Sequence, residues 1–357
     1  MKPRSFLALA GLTVLAVIAA IVVVVNQPAL TTLTKGDESA FEVLTERVND
    51  AAELVIQSNE ATFTVVRTDT GWGMKDRAKY PVHFDKVKTA LVGLSELKLL
   101  EAKTSDPSRY KRLEVEEPDT EEAQSVRFEI KDADGKSMAS GLVGRLNPNL
   151  FGEGGGGTYL RRGKEEQSWL AAGEVSLGKT RNDWMVRDIV DIAAEKVRRA
   201  AIRQPDGAEI VVTQEKPDSG EYKLDGVPEG RKLKDSAEAK NLAGGLWRLT
   251  FEDVKPAADV KFPEKPNVSD YETFDGLRVH IEMTTVDDVV WGRFSATAEG
   301  ATGEKAEDIR KKAAEITERA KGWVYELSAG EGERLTTKIE DILEKPEEKK
   351  ESKANAG

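Results

Sequence analysis

The residues whose spacing most resembles a chemical device are Gly173 to Thr180, "GEVSLGKT", which fit the pattern G-x-x-x-x-G-K-[ST]. In a working phosphate loop, backbone amides and the lysine surround nucleotide phosphates, and a helix begins at the Lys-Ser/Thr pair. Several features here speak against that chemistry. Glu174 would oppose an anion inside the loop. Val175 and Leu177 alternate with Glu174 and Ser176, as residues of a strand do. Arg181-Asn182-Asp183 then reads as a helix start, placed after the point where the helix should already have begun. No second strand ends in an evident magnesium-binding aspartate. The stretch therefore reads as strand and turn, with Lys179 solvated and no nucleotide bound.

Other candidate chemistry is sparse. "GEGGGG", Gly152 to Gly157, precedes the strand-like "TYLRR" and suits a flexible hairpin connection. The two histidines, His83 and His280, lie far apart. His280 sits in "LRVHIEM" on the face opposite Val279 and Ile281, as an exposed strand histidine. Neither H-E-x-x-H nor G-x-S-x-G occurs. There is no cysteine, hence no disulfide and no thiolate ligand or nucleophile. Asp132 to Gly135, "DADG", lacks the calcium-loop pattern and reads as a hairpin turn, and Asp287-Asp288 is also turn-like. The six tryptophans, Trp72, Trp169, Trp184, Trp247, Trp291 and Trp323, read mostly as packing residues, with Trp169 and Trp291 the candidates for exposure. A Ser-His-Asp set dispersed along the chain stays open, because its members can be far apart in sequence. No catalytic, cofactor-binding or metal-ligating residue is nominated, so the expectation is a protein that is not an enzyme and carries no cofactor.

The elements that would position any site begin with an address. Phe6 to Val25 is a run of twenty residues without a charge, preceded by Lys2 and Arg4. As a helix it would span roughly 30 Å, the hydrocarbon thickness of a bilayer. Positive charge stays on the cytoplasmic side. The expectation is a single-pass inner-membrane protein, anchored through residues 6–25, with its N-terminus cytoplasmic and the bulk of the chain periplasmic. A cleaved signal peptide would have a shorter apolar core and a small-x-small site. Beyond residue 30, 51 of the 53 basic residues remain against 64 acidic ones, a formal charge of −13. Such a surface repels phosphate backbones, which excludes nucleic acid as the expected partner.

The remainder reads as one unit written twice. "VRFEIKDADG" from Val126 matches "LRVHIEMTTV" from Leu277. "LSELKLLEAK" from Leu94 matches "LWRLTFEDVK" from Leu246. "GTYLRRG" from Gly157 matches "GWVYELS" from Gly322, and Trp72 corresponds to Tyr222. Asp85 is a candidate cap for a helix carrying Val87, Ala90, Leu91 and Leu94. Asp235 or Ser236 would cap its counterpart with Leu242, Leu246 and Leu249. A helix starting at Asn182 or Asp183 would carry Ile189, Ile192, Ala193 and Val197. An extra helix, Glu304 to Ala320, carries Ile309, Ala313, Ile316 and Ala320 and would lie on its own sheet edge; the sharper alternative is a helix that docks a partner. The fold class is α+β: an N-terminal transmembrane helix, then two tandem repeats of antiparallel sheet with packed helices. The expected divisions are an anchor at 1–30, a juxtamembrane helix or strand at 31–56, repeats at 57–202 and 205–343, and a disordered tail at 344–357.

Three stretches carry a resemblance. "RAKYPVHFDKVKTALVGLSELKLLEAKTSDPSRYKRLEVE" from Arg77, "GTYLRRGKEEQSWLA" and "DWMVRDIVDI" resemble the bacterial family of domain of unknown function 4340. The resemblance implies one N-terminal membrane helix and a setting among gliding-type ABC transport components and their auxiliary subunits. It implies no catalytic residue. The expected function is therefore that of a non-enzymatic accessory or scaffold protein of an inner-membrane complex. Its partners would be inner-membrane proteins, ABC transporter components among them. The alternative is a module that binds cell-envelope polysaccharide or peptide.

Overall fold

The computed structural model describes residues 38–148, 150 and 155–344. The expected anchor at 6–25, residues 152–154 of the glycine run and the tail from 345 lie outside them. Among the described residues no helix is long and apolar enough to cross a membrane. The chain divides into two compact units, Met1–Met185 and Val186–Gly357.

The first unit is a nine-stranded antiparallel sheet in the order β4-β3-β2-β1-β6-β7-β8-β9-β5. Its strands are β1 (Ala51–Gln57), β2 (Thr62–Thr68), β3 (Gly71–Met74), β4 (Tyr80–Pro81), β5 (Lys98–Ala102), β6 (Val126–Asp132), β7 (Ser137–Asn147), β8 (Gly157–Arg162) and β9 (Ser168–Ala172). Alternation decides which face is buried. In β6, Val126, Phe128 and Ile130 are buried while Arg127, Glu129 and Lys131 are only half-covered. Helix α1 is Glu42–Arg47, and α2, Phe84–Glu96, lays Val87, Ala90, Leu91 and Leu94 inward. His83, rather than Asp85, is the N-cap of α2 and makes no side-chain cap bond.

The second unit is an eight-stranded antiparallel sheet in the order β12-β11-β10-β14-β15-β16-β17-β13. The strands are β10 (Val197–Arg203), β11 (Glu209–Gln214), β12 (Tyr222–Asp225), β13 (Asp253–Pro256), β14 (Asn267–Thr273), β15 (Arg278–Val286), β16 (Val289–Thr297) and β17 (Trp323–Glu326). Helices α3 (Glu238–Ala243), α4 (Ala306–Ala320), α5 (Ala329–Leu335) and α6 (Ile339–Ile342) complete it. The N-cap position of α3 is Ala237, whose amide donates to Asp235 Oδ1. Apart from β4, the two strand orders are the same, position for position. Both sheets even break register at the equivalent bulge, between Ala51 and Glu53 and between Val197 and Arg199.

The pairing corrects how the two halves align. Arg67 faces Trp72 and Gln214 faces Tyr222, so the equivalence of Trp72 and Tyr222 stands. The strand at Val126, however, is equivalent to β14, not to the strand at Leu277; β15 is the counterpart of β7. Likewise "GWVYELS" belongs to β17, the counterpart of β9, not of β8. Leu246 matches Leu97 rather than Leu94, because Leu97 O accepts from Ala40 N and Leu246 O accepts from Ile192 N, both at 2.9 Å.

The helix expected from Asn182 is absent. Residues Arg181–Asp183 form a single 3-10 turn, and Val197 opens β10 instead of ending a helix. Ile189, Ile192 and Val197 are buried all the same, because extended chain also carries them inward. Helix α4 lies on the sheet edge. Strand β17 pairs with β16 only at Trp291 and Gly292, and beyond that point Thr317 Oγ1 accepts from Ala296 N and donates to Ala296 O, both at 2.9 Å. The helix thus satisfies backbone groups that the missing strand would have paired. Asp287 and Asp288 both adopt positive φ, 51° and 64°, in the two-residue turn between β15 and β16.

Candidate functional site

The phosphate-loop pattern folds as an extended segment and a capped turn. Val175 and Leu177 are buried and Glu174 and Ser176 are exposed. Val175 N donates to Thr158 Oγ1 at 3.0 Å, so that amide is already used. Lys179 Nζ donates to Gln124 Oε1 at 2.7 Å. Thr180 and Asp183 form a reciprocal capping box, with Thr180 N donating to Asp183 Oδ2 at 2.8 Å. A carboxylate therefore stands where a nucleotide phosphate would be held. Gly178 is required for packing: a Cβ there would lie 2.6 Å from Asp183 Cβ and 2.7 Å from the Trp184 indole nitrogen.

That turn recurs at the end of the second unit. His83 N donates to Trp184 O, and Lys234 N to Ile342 O. Val82 bridges Met185, and Leu233 bridges Leu343. Trp184 and Ile342 are thus equivalent positions, each facing the helix that covers its sheet. In the first unit the Trp184 side chain, 2% exposed, fills most of the gap. Its indole N–H donates to Gly178 O at 3.1 Å. A hollow of about 350 Å³ remains beside Asp85, Lys86, Thr89 and Ser176.

In the second unit the corresponding gap is a groove of about 1250 Å³ between α3 and α5–α6. Its α5 wall is held at both ends. Ser328 and Glu331 form a capping box, Glu331 Oε1 accepts from Thr250 N, and Gln204 Nε2 donates to Thr336 O and Thr337 O, both at 3.0 Å. At the other wall, the 3-10 turn Gly244–Leu246 extends α3 and delivers Trp247, which is 59% exposed. The next residue, Arg248, has φ 50°, a conformation that costs a non-glycine residue about 1 kcal/mol. It is held there by Arg248 N donating to Asp191 Oδ1 at 2.9 Å and by the Leu249–Val190 bridge. This strained corner turns the indole outward.

The lining carries both signs of charge. Lys240 pairs with Glu195 at 2.9 Å; its hydrogen bond holds the Glu195 carboxyl below the usual range, and Glu195 in turn raises Lys240. Glu238, Glu333, Arg334 and Lys338 also line the groove and form no ion pair among the described residues. An apolar plate beside separated cations and anions can hold an extended, two-signed chain.

The tryptophans singled out in the sequence are not the exposed ones. Trp291 is 4% exposed, with Lys255 Nζ 4.3 Å above its ring, and Trp169 is half-buried beneath Arg162. Trp247 was not distinguishable, because no local pattern reports that α5 stands away from it. His83 and His280 lie in different units. His280 is half-buried on its strand rather than exposed, and Asp270 on β14 takes its Nδ1 at 2.7 Å. Among the described residues no group of three or more His, Cys, Asp or Glu side chains could hold a metal ion.

The stretch "KTSDPSRYKRL" has a structural role in the first unit. Asp106 caps the 3-10 turn Pro107–Arg112 by accepting from Ser108 N at 3.0 Å. Tyr110 is buried, donates its hydroxyl to Glu166 O at 2.5 Å, and carries the Arg161 guanidinium 4.5 Å above its ring. The family model described as Domain of unknown function (DUF4340) matches residues 72–269, more than half of the chain. No curated protein and no solved structure matches it.

Proposed function

The chain belongs to the family of domain of unknown function DUF4340, and from that premise we propose that it is a non-enzymatic accessory protein of an inner-membrane complex. In this reading a single N-terminal helix anchors it and the two units stand on the periplasmic side. The complex is linked to a gliding-type ABC transport system. The second unit receives an extended peptide segment of a membrane partner in the Trp247 groove.

The observation that carries the reading is the open groove with its exposed indole. A polypeptide can meet Arg334 and Lys338 with carboxylates, meet Glu238 and Glu333 with cations, and lay an apolar side chain on Trp247. A neutral polysaccharide would use the indole and leave the charges unmet, which makes it the second reading. Two measurements test the proposal. A reporter active only outside the cytoplasm, fused after Lys35, is expected to be active in the membrane fraction; a reporter active only on the cytoplasmic side overturns the topology. A photo-crosslinking residue at position 247 of the full chain is expected to capture a transporter component in intact membranes. Capture of glycan alone supports the second reading, and no capture removes the groove from the proposal.

A further inference from the structure

A different face of the second unit holds unfilled hydrogen-bonding capacity. On the side of the sheet away from its core, side chains stand in rows fixed by register. One row runs Arg199 on β10, Glu272 on β14, Arg278 on β15 and Thr297 on β16. The next runs Ala201, Asp270, His280 and Ser295 across the same four strands. Ala201, with only a methyl group, is buried in its row and does not reach the surface. The larger neighbours surround a depression of about 410 Å³, within the size range of small-ligand sites.

The acids of this depression already have partners. Glu272 accepts from Arg198 and lies 3.5 Å from Arg278, and Asp270 Oδ1 is 2.7 Å from His280 Nδ1. What is left over is mostly donor. The Arg199 guanidinium makes no ion pair or side-chain hydrogen bond among the described residues, although its charge reaches Asp270. The Ser295 and Thr297 hydroxyls likewise make no side-chain hydrogen bond there. His280 Nε2 lies 3.8 Å from Glu282 Oε1, which is too far for a hydrogen bond. Asp270, His280 and Ser295 follow the order of a hydrolytic triad, but no hydrogen bond joins Ser295 to the imidazole, and no pair of backbone amides faces the serine from the flat strand. The arrangement binds rather than cleaves.

We propose that this depression binds a small hydroxylated carboxylate, a uronic acid being the size and chemistry that fit. Arg199 takes the carboxylate through its planar fork, the geometry guanidinium and carboxylate share. Ser295, Thr297 and His280 Nε2 meet the hydroxyls. The site is separate from the Trp247 groove and stands or falls independently of it.

The test is isothermal titration calorimetry of the full chain in detergent micelles with sodium glucuronate, glucose and sodium acetate. Glucuronate is expected to give saturable heat and glucose none, with acetate binding far more weakly. Arg199→Gln is expected to weaken glucuronate about tenfold or more, the loss of one charge-assisted pair. Arg199→Lys keeps the charge without the fork and is expected to fall between. Ser295→Val, at a half-buried position, leaves Arg199 in place and should also weaken binding, and Trp247→Ala should leave it unchanged. Absence of saturable glucuronate heat, equal binding of glucose, or full affinity in both Arg199→Gln and Ser295→Val overturns the proposal.

Discussion

In the first unit Trp184 fills most of the gap between α2 and the segment after the last strand, leaving about 350 Å³. In the second, Ile342 stands at that position and α3 faces α5 across about 1250 Å³. The sheets beneath share one strand order, so the difference lies in what was laid over them. A second contrast is at the sheet edge. Strand β4 covers β3 in the first unit, where the Lys79 carbonyl would be 2.4 Å from a Cβ on Gly73. The equivalent of Gly73 is Lys223, whose side chain excludes such a fold-back. Nothing among the described residues pairs with the outer edge of β12, and its brevity, Lys223 and Asp225 guard it instead. One plan thus gives a closed unit and an open one.

The most severe way to break this comparison is to cut the chain elsewhere. Residues 38–185 and 186–344 should each fold alone and melt cooperatively. Residues 72–269, the span of the family match, should not, since they omit β1 and β2 from one sheet and β15 to β17 from the other. Circular dichroism with thermal melting decides it, and a cooperative transition in the 72–269 fragment would refute the division into two units.

The two tryptophans come next. Trp184→Ala should destabilise the first unit by about 3–5 kcal/mol, the usual cost of removing a buried indole. Trp247→Ala should change the stability of the second by within about 0.5 kcal/mol. Denaturant unfolding of the separate units measures both, and equal losses would erase the contrast between filled and open. At the edge, Gly73→Ala should cost about 1–3 kcal/mol, because the Lys79 carbonyl must move. Lys223→Gly should cost no more than about 1 kcal/mol.

The smallest effect is electrostatic. The hydrogen bond between them raises the His280 pKa above its ordinary value of about 6.5 and lowers that of Asp270. The histidine's contribution is complete below that ordinary value and is lost as pH rises through its raised native one. The aspartate's is present above its unfolded value and is lost as pH falls through its depressed native one. The pair therefore helps the second unit between those two native values. NMR titration of His280 should show a raised midpoint that Asp270→Asn removes; an unshifted midpoint in the native chain counts against the pairing.

Much of this architecture was legible in alternation. β6, β8 and β15 announce themselves by period two, and the same alternation at Glu174 to Leu177 speaks against a phosphate loop. The alignment of the halves slipped by one strand for a related reason. Period-two strands resemble their neighbours, so "VRFEIKD" and "RVHIEMT" match well without being equivalent. The turn residues held the better signal, since Asp134-Gly135 and Asp275-Gly276 each precede the strand that pairs back. The false helix at 182–197 arose because Ile189, Ile192 and Val197 satisfy helical spacing while lying on buried extended chain. The groove had no local signature. It depends on how far α5 stands from α3, a distance that many residues set together.

The exposed indole has an optical consequence. Trp72, Trp184 and Trp291 are buried, Trp169 and Trp323 are half-covered, and Trp247 alone is more than half open. A water-borne collisional quencher would therefore extinguish the red edge of the protein's emission first, and that light comes mainly from Trp247. Anything seated against the indole would shift this band to the blue and shield it from the quencher. The unlabelled chain thus carries its own fluorescent gauge of whether the groove is occupied.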